Sequence, residues 1–163
     1  MRALFLSKYY LNPQALPVFF FGILIFALGI FLFFRDRKTL LNRRFLYICV
    51  SVCFWLVPTA IGYCAVDPHT AKYWFRLDNF SVGFISINVF VFIKEFLGKK
   101  INWADKVGYA FIFLWGLLIL FTDLHVSDVY RYEWGFFPKW NALGFVLLVF
   151  FFAYMMHSKC VSC

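Results

Sequence analysis

The chain has 163 residues, 64% of them hydrophobic, with a mean hydropathy of +0.79 and a formal net charge of +8. A soluble domain of this length could not hide that much apolar surface, so the sequence reads as an all-α integral membrane protein. The positive charge gathers at the ends of apolar runs, where the positive-inside rule accounts for it. With no basic stripe or reading motif, no nucleic-acid partner is expected.

Met1 to Leu11 carry Arg2 and Lys8 among Phe and Tyr and read as a short interfacial segment. Asn12-Pro13-Gln14-Ala15-Leu16-Pro17 follows as an extended lead-in, because the residue before each proline is biased toward extended or turn geometry. Pro17 suits the first helical position, where its missing N–H costs nothing. The first span covers about 16–34, is free of charge, and is stopped by Arg35-Asp36-Arg37-Lys38. Its length, its strong stop and the lack of an A-x-A site argue against a cleavable signal peptide.

The second span, about 45–65, follows Arg43-Arg44 and holds Trp55 and Pro58. Pro58 is expected to bend or locally unwind it. Cys49 and Cys53 share one face of this helix and read as small hydrophobes. Asp67-Pro68-His69 signals a turn, followed by a short amphipathic piece from Ala71 to Leu77. The third span, about 78–97, is the weakest, with an apolar stretch only from Phe80 to Ile93. Asp78-Asn79 mark one boundary and Lys94-Glu95 the other, and Lys94 is expected to snorkel to the headgroups. A re-entrant or surface helix is the alternative.

The fourth span, about 107–122, contains Trp115 and Gly116. The following loop carries Tyr130, Tyr132, Trp134, Phe136 and Phe137. It reads as an aromatic belt at the headgroup level, with a shallow ligand pocket as the alternative. A fifth span is placed at about 140–156, ahead of a short tail. The turns after spans one and three are rich in Lys and Arg and those after spans two and four are not. This alternation predicts five crossings with the N-terminus outside and the C-terminus in the cytoplasm. The chain is one transmembrane domain, 1–163, with no repeat and no soluble domain.

Candidate site residues are few. Cys160-Val161-Ser162-Cys163 is a C-x-x-C, and His157 is close enough to join Cys160 and Cys163 as a third metal ligand. Against a metal or redox role, the pair stands without a second pair. Lipid modification of the cysteines is the other functional reading. Ser51, Thr59, Ser81, Ser86, Asn88 and Asn141 are the polar residues within spans, and no carboxylate or basic residue falls near a mid-span position. That pattern argues against a proton pump, an ion-coupled transporter or a voltage sensor. Asn88 is expected to hydrogen-bond between helices, with contact to a bound cofactor as the alternative. Gly22, Gly29 and Gly116 mark close helix contacts. Pro17, Pro58, Trp55 and Trp134 are read as structural. No catalytic constellation is found, so the chain is not expected to be an enzyme.

Several short motifs carry a family resemblance. They are Asn12-Pro13-Gln14-Ala15-Leu16-Pro17, Asn42-Arg43-Arg44-Phe45 with Trp55, Asp67-Pro68 with Ala71, Trp74 and Arg76-Leu77, Gly83-Phe84-Ile85, and Tyr132-Glu133-Trp134-Gly135-Phe136-Phe137-Pro138. Together they resemble the seven-helix N-terminal membrane region of bacterial sensor histidine kinases and diguanylate cyclases. The resemblance implies a sensor-type membrane scaffold in the bacterial inner membrane, covering the first five helices. Two further helices, a phosphoacceptor helix, ATP-binding glycine motifs and a cyclase signature are not in the sequence.

Three functions are therefore expected, in this order. The first is a non-catalytic accessory or scaffold subunit of a larger membrane complex. The second is the sensory membrane region of a signal-transduction receptor. The third is a small redox or metal-binding membrane protein using the terminal C-x-x-C. The expected partners are membrane lipids, other integral membrane proteins and a second copy of the chain. No cofactor other than lipid is expected.

Overall fold

Asn12 and Pro13 make a turn rather than an extended lead-in. Asn12 Oδ1 accepts from the Gln14 N–H at 3.0 Å, and the Asn12 carbonyl accepts from the Ala15 N–H at 3.0 Å. Helix α1 (Ala15–Arg35) therefore starts two residues before Pro17. Pro17 falls in the first turn instead of at the first position, where its missing N–H still has no helical acceptor to lose. The structure, a computed structural model, describes residues 8–141.

Asp36 ends α1. Its carboxylate accepts from the Lys38 N–H at 3.0 Å and from the Thr39 hydroxyl, which folds the chain into helix α2 (Leu40–Tyr63). The Asn42 amide closes the same turn on the Leu32 and Asp36 carbonyls, at 3.2 and 3.0 Å. Pro58 lies inside α2, and the helix runs through it without the expected unwinding. α1 on one side and α3 on the other hold that turn in place.

Helix α3 (Pro68–Phe96) is the largest departure from the sequence reading, with 29 continuous residues where a surface piece and a short span were expected. Asp67 caps it, accepting from the Thr70 N–H at 2.8 Å and the Thr70 hydroxyl at 2.7 Å, with Pro68 at the first helical position. Asp78 and Asn79 do not break the helix, because both side chains find partners. Helix α4 (Trp103–Phe121) follows a short connection in which the Asn102 N–H donates to Asp105 Oδ2 at 2.7 Å.

The helices pack mainly in chain order, α1 on α2, α2 on α3 and α3 on α4. Gly29 lets α1 reach α2, since a Cβ there would lie 2.6 Å from the Cys49 Cβ. Gly116 likewise leaves room on α4 for the Phe80 ring of α3. All four helices are long and apolar enough to cross a membrane. Four such helices are described; of the fifth expected span, Trp140 belongs to a strand, and 142–156 lie outside the described residues.

After α4 the chain forms an antiparallel hairpin, β1 (Val126–Tyr132) and β2 (Gly135–Trp140). The fold is therefore helical with a β-hairpin rather than purely α. The hairpin packs on the end of α2 and the start of α3, where Val126 and Phe136 complete a buried cluster with Ala65, Ala71 and Phe75. A second cluster, Ile87, Phe90, Val91 and Ile112, seals α3 against α4.

Polar contacts pin the bundle at three heights. At the hairpin end, Asn12 is 3% exposed and its amide donates to the Tyr63 carbonyl at 2.8 Å and the Trp134 carbonyl at 2.7 Å. This one side chain joins the start of α1, the end of α2 and the hairpin turn. In the middle, Asn88 on α3 donates to Ser51 Oγ on α2 at 2.8 Å and accepts from the Tyr109 hydroxyl on α4 at 2.6 Å. At the opposite end, Lys94 does not snorkel. It is 8% exposed and its ammonium lies 2.7 Å from both Asp105 Oδ2 and Asn102 Oδ1. A buried cation with a buried carboxylate beside it is better placed there than stretched toward headgroups.

Two substitutions test these joints by reversible unfolding in mixed micelles. Asn12→Ala is expected to destabilise the chain by about 1–3 kcal/mol, because it leaves two carbonyls without a donor, and Asn12→Asp is expected to cost more by facing them with a carboxylate. Lys94→Met is expected to cost about 3–5 kcal/mol by leaving Asp105 uncompensated, with part of the loss recovered in Lys94→Met/Asp105→Leu.

Candidate functional site

Between α2, α3 and α4 lies a cavity of about 560 Å³, with the hairpin at one end. Sequence spacing explains its walls. Trp55, Thr59 and Tyr63 recur every fourth residue on α2 and so present one face. Along α3 the lining runs from Phe75 to Ser86, eleven helical steps that give a slot about 16 Å long at 1.5 Å per residue. Gly83 and Gly116 supply no side chain to fill it, and Phe137, Pro138 and Trp140 bring β2 to its rim.

Asp78 carries the polarity of this cavity. It stands ten residues into α3 and is 4% exposed, so the residue expected to mark the boundary of the third span lies well inside the helix. Its Oδ2 is 2.8 Å from Thr59 Oγ1, and its Oδ1 accepts from the Asn79 amide at 2.7 Å. The same amide donates its second proton to the Phe75 carbonyl at 2.6 Å. Thr59 Oγ1 also lies 2.7 Å from the Trp55 carbonyl. A hydroxyl has one proton, so Thr59 cannot donate to both oxygens.

His125, just before β1, joins the cluster through Nε2, 2.9 Å from Asn79 Oδ1. Both Asn79 amide protons are already committed, so this oxygen accepts and the imidazole proton is assigned to Nε2. Nδ1 is then a bare acceptor, buried without a hydrogen-bond partner among the described residues. Burial pushes the imidazole pKa down. Lys72 and Arg76, the cations nearest in sequence, both pair with Asp123 instead, and the Lys72 ammonium beside it holds that carboxyl below its usual range.

Of the residues singled out from the sequence, Trp55 lines the cavity and Asn88 sits deeper in the bundle between three helices. Trp134 occupies the hairpin turn, stacked on Tyr132 at 5.2 Å and edge-on to Tyr63 at 5.6 Å. Pro17 and Pro58 lie within α1 and α2. His157, Cys160 and Cys163 lie outside the described residues. Among the described residues no group of three His, Cys, Asp or Glu side chains is arranged to hold a metal. Within the aromatic loop, Tyr130, Tyr132 and Trp134 are exposed, whereas Phe137 and Trp140 line the cavity. Asp78, Thr59 and His125 were not seen as one site from the sequence. A carboxylate one turn before Val82, at the helical spacing of Phe75 and Val82, was the available signal.

No family model, curated protein or solved structure matches the chain.

The buried imidazole sets a pH dependence. The unfolded chain protonates His125 near pH 6.5, the folded chain only at lower pH, so below about 6.5 the unfolded state binds more protons. Stability is expected to fall as pH drops through that window, and His125→Gln to flatten the profile there. Thermal unfolding between pH 7.5 and 5 measures it. Asp36, Asp67 and Asp123, each held below the usual range by hydroxyl or ammonium partners, lose their contribution only below about pH 4.

Proposed function

We propose that the chain is the ligand-sensing membrane region of a receptor, set in the bacterial inner membrane with the hairpin outside and the basic turns in the cytoplasm. The cavity between α2, α3 and α4 carries this reading. Its volume of about 560 Å³ lies within the range of small-molecule sites, and apolar walls with a few convergent polar groups are the usual makeup of such sites. The family resemblance in the short motifs points the same way. A carboxyl inside an apolar helix is a functional group by default, because burying it there is costly.

A second reading, an accessory subunit within a larger membrane complex, has its own support. Helix α1 packs against α2 and turns Phe20, Phe31 and Phe34 outward. Such a face suits a partner helix as well as it suits lipid.

One experiment separates the two. The chain is extracted from its native membrane in mild detergent and examined by native mass spectrometry. A retained adduct of a few hundred daltons, lost from the cavity-filling variant Ser86→Phe, is the outcome expected for sensing. Stoichiometric protein partners without such an adduct would replace the sensing reading with the accessory one.

A further inference from the structure

We infer that the cavity takes an amphipathic organic cation, with an ammonium head at Asp78 and an apolar tail along α3. The inference rests on the ligand-sensing reading and adds the chemistry of the ligand.

Charge gives the first argument. The cavity is lined by Asp78 but by no Lys or Arg among the described residues. Lys72 and Arg76, six and two residues before Asp78, both pair with Asp123, while Lys94 and Arg44 are engaged by Asp105 and Glu95 at the other end of the bundle. Asp78 alone is buried without a basic partner within 4 Å in the described residues, and a buried carboxylate needs a countercharge or a proton.

Proton counting gives the second. Around Asp78 the protons of Asn79 are fully used, and Thr59 has one proton for the Trp55 carbonyl and for Asp78 Oδ2. Oδ2 therefore lacks an assured donor from the protein. On the other side of Asn79, His125 adds no cation, its Nε2 being held by Asn79 Oδ1 and its Nδ1 enclosed. An incoming ligand meets the Asp78 carboxyl, which selects for N–H or O–H donors and against anions.

The walls give the third. Trp55 and Tyr63 stand one helical turn to either side of Thr59, the residue that touches Asp78, so aromatic rings flank the carboxyl. Aromatic faces attract ammonium groups, more strongly where water is displaced. Beyond them the slot continues past Gly83 to Ser86, between mainly apolar residues whose polar atoms are the Ser86 hydroxyl and the Trp115 indole N–H. A head that is cationic and a tail that is apolar match the two halves.

The test compares three probes of nearly equal shape, 4-phenylbutylamine, 4-phenylbutanol and 4-phenylbutyrate. The full chain is placed in phosphatidylcholine nanodiscs, and binding is read from the fluorescence of Trp55, Trp115 and Trp140, which line the cavity. The amine is expected to bind about tenfold or more tighter than the alcohol, and the carboxylate weakest. Asp78→Asn is expected to bring the amine down to the affinity of the alcohol. Equal or tighter binding of the alcohol by the wild-type chain, or an amine preference that survives Asp78→Asn, would overturn the cation and leave the cavity as a ligand site. Absence of binding by all three would remove both. The wild-type comparison decides the matter by itself if Asp78→Asn does not fold.

Discussion

Apolar surroundings offer a polar side chain no water, so each such group within the helices must find its partner on the protein. This constraint sets the relative height of the helices. Hydrophobic packing alone lets one Phe-rich surface slide along another at little cost, whereas a hydrogen bond tolerates only tenths of an ångström. Asn88 can reach Ser51 and Tyr109 together in one register of α2, α3 and α4. Lys94 can meet Asp105 and Asn102 in the same register only. Asn12 repeats the device at the hairpin end with backbone carbonyls as the targets.

The hairpin follows from the same need. Where α2 ends and α3 begins, the backbone turns and its carbonyls lose their helical partners. The short segment before α1 pairs with this turn through Tyr10 N–H to the Cys64 carbonyl and Val66 N–H to the Lys8 carbonyl, at 2.8 and 2.9 Å. The hairpin then covers it. Gly135, with φ of +137°, allows the turn to press against Asn12 and the Tyr63 carbonyl, where a Cβ would have 3.0 and 3.2 Å. Lys72 reaches across to the Ser127 carbonyl at 2.7 Å and ties β1 to α3.

Three of the helices were legible in the sequence because their central stretches carry no charge. α3 was split in reading because hydropathy treats Asp78-Asn79 and Lys94 as boundaries. Hydropathy scores a residue by its own polarity, and the partners that make these residues compatible with a helix, Thr59, Phe75 and Asp105, are remote in sequence or one turn away. The hairpin was missed for a related reason. Its strands are rich in Val, Tyr and Phe, but the two turn residues, Glu133 and Trp134, lack the Asn-Gly or Asp-Gly signature, and the only glycine follows them. The candidate site was invisible because it is assembled from α2, α3 and the hairpin, and because its key residue had been read as the edge of a span.

The two ends of the bundle are built differently, and the difference bears on function. At the basic-turn end, α3 and α4 close over Ile87, Phe90, Val91 and Ile112 and are locked by Lys94. At the hairpin end, Gly83 and Gly116 admit the Ile112 and Phe80 side chains at close range, and about 560 Å³ is left between α2, α3 and α4. The cavity opens to the surroundings of the bundle, so any occupant meets both apolar walls and Asp78. A lipid chain would satisfy the hydrocarbon walls but would lay methylene groups against Asp78. An occupant with a proton or a positive charge to offer satisfies both the walls and the carboxyl, and that is why the carboxyl, more than the volume, identifies what belongs there.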